Sequence, residues 1–456
     1  MSIKSINPTT QTIIATHEIL DNGQLEGRIN GAQQGFLDWK EVPFQERSRL
    51  MNALAEELRS NVDEYAKLAT EEMGKTFESA KGEVEKCAWV CEYYAKNAHT
   101  FLADEPVNTA ANKSYVSYQP LGVILAVMPW NYPYWQVFRF AAPALMAGNT
   151  VLLKHASNVQ GCAKAMEQLF RNAGFPENVF HNLPIETEMV ASVIAHPFVK
   201  AVTLTGSEKA GSAVASEAGK HIKKAVLELG GSDPYIILED ADLDLAVEVC
   251  VKGRLKNNGQ SCIGAKRFIV VDAIYDEFLA RFKDKMAAAK MGDPFAEDTV
   301  LGPLARPDLR DNLHRQVQES IEKGAQCILG GKIPDGVGSF YPATILTDVK
   351  PGMPAYEEEL FGPVAALFRV KDEAAAIQIA NDTNFGLGAA VFTQDIARGE
   401  RIAKEELEAG SCFVNGMVGS DPRLPFGGIN ISGYGRELSH YGIREFTNIK
   451  TVSIQQ

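Results

Sequence analysis

Apolar residues recur at helical spacing from residue 35 to about 101. Leu50, Met51, Leu54, Ala55 and Leu58 share a face, while Glu56, Glu57, Arg59, Glu71, Glu72 and Lys75 intersperse charges as on a solvated one. The texture changes at Tyr115-Val116-Ser117-Tyr118-Gln119-Pro120, which alternates as a strand does. Short aliphatic runs at 122–127, 150–153, 201–204, 225–227 and 235–238 then alternate with helical stretches near 159–173, 186–195, 208–219 and 242–258. That alternation predicts βαβ units and a mainly parallel sheet. A second α/β stretch starts near Gly231. Strands are expected at 267–271, 325–329, 365–369, 388–393 and 411–415, with a helix over about 274–290 that Gly292-Asp293-Pro294 ends. Residues 330–338 read as an exposed turn, and 447–454 alternate again, which suits pairing with another strand, in this chain or in a second subunit.

A chain of 456 residues exceeds one compact core and predicts two or three packed units. An apolar fraction of 45% with 23% charged residues argues against disorder. The net charge of −13 argues against a nucleic-acid or acidic-membrane partner, while leaving room for a local basic pocket. The longest apolar stretch, 121–130, falls short of the ~20 residues a membrane span needs. The start, Met1 to Pro8, has no signal-peptide core. With 7 cysteines scattered without paired metal spacing, the expectation is a reducing cytoplasm and no metal site. Cys87 and Cys91, spaced as on one helix face, read as packed residues of that face.

Several short segments carry candidate chemistry. In Asn257-Asn258-Gly259-Gln260-Ser261-Cys262, a cysteine after Gly and small polar residues at a helix end can sit in a turn beside backbone N–H groups. Those groups would stabilise a thiolate and later an oxyanion; an inert packed cysteine is the alternative. Glu228-Leu229-Gly230-Gly231 puts a carboxylate at the end of a strand, where open α/β sheets place ligands. It suits a general base of raised pKa, or a plain surface glutamate. Thr205-Gly206-Ser207-Glu208-Lys209-Ala210-Gly211 joins a strand to a helix and leaves room for an anion at the helix N-terminus. It is neither G-x-G-x-x-G nor a P-loop, so an ordinary strand-to-helix turn stays open. In Met128-Pro129-Trp130-Asn131-Tyr132-Pro133, two prolines would hold the Asn131 amide as a donor, or simply stiffen a loop.

Taken in order with Lys154 and Ser157, Glu358-Glu359-Leu360-Phe361-Gly362-Pro363 and Pro425-Phe426-Gly427-Gly428, these segments resemble the aldehyde dehydrogenase superfamily. The resemblance runs from Asn7-Pro8 to Gly433-Tyr434-Gly435-Arg436-Glu437, nearly the whole chain. It implies an aldehyde dehydrogenase-like α/β fold. A Rossmann-like cofactor domain would span 1–108 and 120–230, and an α/β catalytic domain 231–430. A small bridging β element from 109–119 and 431–456 pairs across subunits in relatives, which implies a homodimer or homotetramer.

By the same resemblance, Cys262 is the nucleophile that forms a thiohemiacetal with the aldehyde, its oxyanion held by the Asn131 amide and the Cys262 N–H. Hydride transfer to a nicotinamide leaves a thioester, and Glu228 activates the hydrolytic water. Lys154 matches the lysine at the cofactor ribose that also matters for activity, Glu359 the carboxylate on the nicotinamide ribose, and Ser207 after Gly206 the pyrophosphate contact. Trp130 and Phe361 flank the cofactor, and Gly211, Glu228 and Leu229 complete the matched cofactor set. Arg139 matches the carboxylate anchor of succinate-semialdehyde dehydrogenases, with Ser420, Lys256 and Phe426 beside the substrate. A surface or inter-helix ion pair is the other reading of Arg139.

Departures from the family pattern matter too. Many NAD-preferring relatives have Lys-Pro-x-Glu where this chain has Lys154-His155-Ala156-Ser157. Ser157 removes a carboxylate that would repel a 2′-phosphate and offers a hydroxyl instead, so NADP is expected over NAD. Gly264 stands where some relatives carry a second cysteine, so a local disulfide switch is not available. The expected reaction is oxidation of succinic semialdehyde with NADP. The alternatives are glutarate semialdehyde, an uncharged aldehyde, or a non-catalytic homologue.

Overall fold

The aliphatic runs assemble into two parallel sheets in a computed structural model that describes residues 2–455; Met1 and Gln456, the outer limits of the expected domains, lie outside it. The first sheet has six strands in the order Gly433–Tyr434, Lys224–Glu228, Val199–Thr205, Val123–Met128, Thr150–His155 and Phe180–Asn182. All neighbours are parallel except Gly433–Tyr434, which runs antiparallel to Lys224–Glu228. Val123 to Ala126 are fully buried, as a strand covered by helices on both faces requires. The chain leaves Val123–Met128 toward one side of the sheet and returns to its other side with Val199–Thr205. The strand order therefore reverses there and opens a crevice at the carboxyl ends.

The second sheet has seven strands in the order Gln326–Leu329, Thr344–Thr347, Val364–Val370, Arg267–Val271, Pro234–Ile237, Gly388–Phe392 and Ser411–Val414. Only the edge strand Gln326–Leu329 is antiparallel. A third sheet joins Thr447–Ile454 to Lys113–Pro120 in an eight-residue antiparallel register, with Glu105–Pro106 on the other side. The alternating tail thus finds its partner within the chain. Gly433–Tyr434, grouped with the bridging element by the sequence, instead extend the six-stranded sheet.

The helical N-terminal region is four helices, Asn22–Trp39, Phe44–Ser60, Val62–Met73 and Phe77–Phe101. The first starts ahead of the expected position because Asp21 and Gln24 form a reciprocal capping box. Gly74, at φ +81°, ends the third in a left-handed cap. Cys87 and Cys91 lie buried on the fourth. Other elements escaped the hydrophobic pattern: the hairpin Ser2–Ile6 with Ile13–Glu18, the strands Phe180–Asn182 and Thr344–Thr347, and the helix Pro307–Glu322. That helix buries only Leu313, Gln316, Val317 and Ser320, too few apolar positions to stand out. The stretch expected as a helix at 242–258 stops at Leu255 and gives way to a left-handed turn.

Candidate active site

Three consecutive residues after the helix Leu243–Leu255 are left-handed: Asn257 at φ 56°, Asn258 at φ 57° and Gly259 at φ 74°. Such a run is strained and persists only where its surroundings fix it. Side-chain hydrogen bonds from three directions do so here. Asn258 Nδ2 donates to the carbonyls of Gly74 (2.8 Å) and Pro303 (3.0 Å), and its Oδ1 accepts from Gly302 N (2.9 Å). Asn257 Nδ2 donates to Asn131 O (2.8 Å) and Gln260 O (2.9 Å), and Arg254 Nη2 to Gly259 O (2.6 Å). A Cβ on Gly259 would sit 2.2 Å from the Gly362 carbonyl carbon, so only glycine fits. The turn delivers Cys262 to the wall of a cavity of about 280 Å³. Just beyond it, buried Lys266 donates from Nζ to the carbonyls of Ser261 (2.9 Å) and Cys262 (2.8 Å) and pairs with Glu359 Oε1 at 3.0 Å.

Asn131 lies in the loop between Val123–Met128 and the helix Trp135–Met146. His155 pins this loop. Its Nδ1 accepts from Ala156 N (2.9 Å), so the ring hydrogen belongs on Nε2, where it donates to Pro133 O (2.8 Å). Burial pushes the imidazole down to about 4, which keeps it neutral. The next helix turn is capped by buried Glu83, whose Oε1 accepts from Tyr134 N (2.8 Å) and Trp135 N (2.9 Å) while its other oxygen pairs with buried Lys75. Asn131 Nδ2 donates one hydrogen to Gln260 O at 3.2 Å, leaving its second hydrogen for another acceptor.

Glu228 ends its strand fully buried, with neither carboxylate oxygen hydrogen-bonded among the described residues. Burial raises its pKa well above the ordinary range, and the neighbouring Glu437 carboxylate pushes it the same way. Burial also pushes the Cys262 thiol up to about 11, against the pull of Arg139 and Lys266. Both groups therefore hold their protons more tightly than they would in water, and a thiolate here needs its surroundings to stabilise it.

The cavity brings Cys262 together with the sequence-predicted Arg139, Lys256, Ser420 and Phe426. Asn131 and Glu228 lie outside its wall. Arg139 is buried and forms an ion pair with buried Glu437, its guanidinium lying 4.5 Å from the Phe426 ring centre. Arg139 is thus ion-paired, but inside the protein and to a loop residue between Gly433–Tyr434 and Ser439–Glu445 rather than at the surface or between helices. Phe426 and Glu437 exchange backbone hydrogen bonds of 2.8 and 2.7 Å, which holds cation, ring and carboxylate together. Sequence reasoning missed Lys86, Lys266 and Glu437. The available signal for Lys86 was a lysine beside Glu83, Cys87 and Val90 on the apolar face of its helix.

The remaining predicted residues surround the crevice of the six-stranded sheet. Ser207 caps the helix Glu208–Lys220, its Oγ accepting from Ala210 N at 3.3 Å. A Cβ on Gly211 would come within 2.6 Å of Leu229, so this helix needs glycine to pack against the Leu229 side chain. Ser157 is exposed at the start of a short helical turn after the strand Thr150–His155, and burial lowers the pKa of the Lys154 amine on that strand. Trp130 and Phe361 meet edge to face with ring centres 5.7 Å apart. A glycine-lined helix start with exposed hydroxyls and a nearby cation fits a phosphate-bearing dinucleotide. The Aldehyde dehydrogenase family model matches residues 1–452.

The chain belongs to the aldehyde dehydrogenase family.

Among curated relatives of this aldehyde dehydrogenase, the probable succinate-semialdehyde dehydrogenase [NADP(+)] of Synechocystis is 50% identical over 454 residues, covering 100% of each chain. Succinate-semialdehyde dehydrogenase [NADP(+)] 1 of Mycobacterium tuberculosis is 49% identical over 457 residues, again 100% of both. The crystal structure of succinic semialdehyde dehydrogenase from Streptococcus pyogenes in complex with NADP+ superposes with a TM-score of 0.97 at 39% identity, covering 100% of each chain. The expected fold class is the observed one.

Proposed function

We propose that this aldehyde dehydrogenase oxidises succinic semialdehyde to succinate with NADP. The observation that carries the reading is the cavity itself: Cys262 opens onto a pocket whose wall holds Lys86, Arg139 and Lys256. A carboxylated aldehyde would match Lys86 and Lys256, which have no ion-pair partner among the described residues, and the relatives named as succinate-semialdehyde dehydrogenases agree with it. When bound in the crevice, a nicotinamide dinucleotide supplies the hydride acceptor. Lys154, Ser157, Ser207 and Glu359 would hold it, with Gly206, Gly211 and Leu229 shaping the crevice and Trp130 and Phe361 at its side. Ser157 in place of a carboxylate favours the 2′-phosphate form.

The chain's own residues divide the reaction. Cys262 gives its proton to water and its sulfur bonds to the aldehyde carbon, and the charge that develops on oxygen is met by the Asn131 amide and the Cys262 N–H. Loss of hydride from that carbon leaves a thioester. Glu228, a carboxylate of raised pKa, takes a proton from water, which adds to the thioester carbon and expels the Cys262 sulfur. Glu228 then gives that proton up to the expelled sulfur, which restores the thiol and the base, and the acid is released.

We further place the enzyme in the cytoplasm as a homodimer or homotetramer. No helix among the described residues is long and apolar enough to cross a membrane. The strand Thr447–Ile454 lies at the edge of its sheet with Ile449 and Ile454 exposed, as a strand does that continues into a second subunit.

Steady-state rates on succinic semialdehyde, glutaric semialdehyde and butanal, each with NADP and NAD, test the reading. The highest kcat/KM is expected for succinic semialdehyde with NADP. Preference for butanal overturns the substrate, and equal or better use of NAD overturns the cofactor.

A further inference from the structure

The acids around the substrate cavity are already committed to cations. Glu83 pairs with Lys75, Glu437 with Arg139, and Asp421 with Arg423 at 2.6 Å. Arg139, the arginine singled out from the sequence, thus has its charge matched within the protein. Lys86 and Lys256 have no ion-pair partner among the described residues. Lys256 is exposed, whereas Lys86 is half-buried on the helix Phe77–Phe101 and reaches into the cavity between two fixed contacts. Its Nζ lies 4.2 Å from the Trp135 ring centre and donates to Ser420 Oγ at 2.7 Å.

The donor count shows what that arrangement can bind. An ammonium carries three hydrogens, and one is used on Ser420 while the charge leans on the Trp135 face. Because the Ser420 oxygen accepts from Lys86, its own hydrogen is free to point elsewhere. Two donors, one charged, therefore meet at one place in the wall that Cys262 also lines. A carboxylate two methylenes from the aldehyde carbon would accept from both.

We propose that Lys86, with Ser420 oriented by it, is the specificity-determining cation that binds the distal carboxylate of the substrate. This rests on the carboxylated-aldehyde reading above and assigns the recognition to a residue outside the arginine anchor.

The same geometry makes binding proton-dependent. Facing Lys86 are Lys256 from the nucleophile turn, Arg139 from the helix Trp135–Met146, Asp421 from the segment before Phe426, and Glu83 and Cys87 on its own helix. Burial, with the repulsion of Lys256 and Arg139, pushes its amine down to about 7. In the free enzyme the cation is present below that pH and lost above it, and an arriving carboxylate stabilises the charged form. Affinity for a carboxylated aldehyde should fall as pH rises past neutrality, while affinity for an uncharged one should not.

The test compares wild type, Lys86→Met and Lys86→Arg at saturating NADP, with succinic semialdehyde and butanal, between about pH 6 and 9. Lys86→Met is expected to raise KM for succinic semialdehyde about tenfold or more, with kcat near wild type and butanal kinetics unchanged. Lys86→Arg should keep a low KM and abolish its rise with pH. A wild-type KM in Lys86→Met, equal losses on both aldehydes, or a pH dependence that persists in Lys86→Arg overturns the proposal. A wild type with no preference for succinic semialdehyde defeats the substrate reading itself, whereas a preference that Lys86→Met retains defeats this inference alone.

Discussion

Arg139 and Glu437, nearly 300 residues apart in the chain, form a buried ion pair that ties the helix beside the substrate cavity to the segment carrying the Glu228 partner strand. Glu437 also raises the Glu228 pKa, so one carboxylate acts on both the cation at the cavity and the proposed base.

Replacing Glu437 by Gln removes the negative neighbour of Glu228 and frees the Arg139 charge, and both changes lower the Glu228 pKa. Since Glu228 must be deprotonated to activate water, the acid limb of the kcat profile should move to lower pH, by about one unit. The unpaired Arg139 should cost about 3 kcal/mol of stability. A pH–rate series and thermal unfolding of the variant check both.

Glu228→Gln leaves Cys262 and the oxyanion donors in place but removes the base for water. A burst of NADPH near one per site should precede a steady state slowed about 100-fold or more. Stopped-flow absorbance reads it, and equal loss of burst and steady state would argue for an earlier role.

Gly259→Ala puts a Cβ into the Gly362 carbonyl at a left-handed position. Stability should drop by upwards of about 2 kcal/mol, and Cys262 should become more accessible to alkylation as the turn relaxes. Calorimetry and thiol labelling measure the two effects.

With its pKa near 11, Cys262 is almost wholly thiol at neutral pH in the free enzyme. Its alkylation by iodoacetamide should accelerate with pH up to about 11 rather than levelling off near the usual ~8.5. Lys266→Met, which removes a cation that lowers the thiol pKa, should shift that curve further up.

Ser157→Glu restores a carboxylate at the exposed start of the turn after Lys154. The kcat/KM with NADP should fall about 100-fold through repulsion of the 2′-phosphate, with NAD less affected. Initial rates with each cofactor decide it.

The Asn131 loop and the Ser207 helix start were marked in the sequence by prolines, glycine and serine at strand ends, whereas the left-handed turn before Cys262 was not, since the periodicity there ran on as a helix to about 258. The strands were legible because parallel strands buried on both faces are continuous aliphatic runs. Pro307–Glu322 was not, since it buries little apolar surface, and Ser2–Ile6 with Ile13–Glu18 was not, since most of its residues face solvent. His155 read only as a departure from a family motif; its place under the Asn131 loop depends on the parallel pairing of Val123–Met128 with Thr150–His155.

The sequence by itself determined the α/β class, because its aliphatic runs and helical stretches alternate, and its resemblance to a known family nominated Cys262, Glu228 and Asn131 for the chemistry. Only the tertiary structure decided which charges are free. Whether a lysine or arginine can meet a substrate depends on which acids lie against it, and those acids come from distant parts of the chain. Packing matched Arg139 to Glu437 and left Lys86 beside Ser420 with no acid paired to it among the described residues, a division of charge that no one-dimensional spacing encodes.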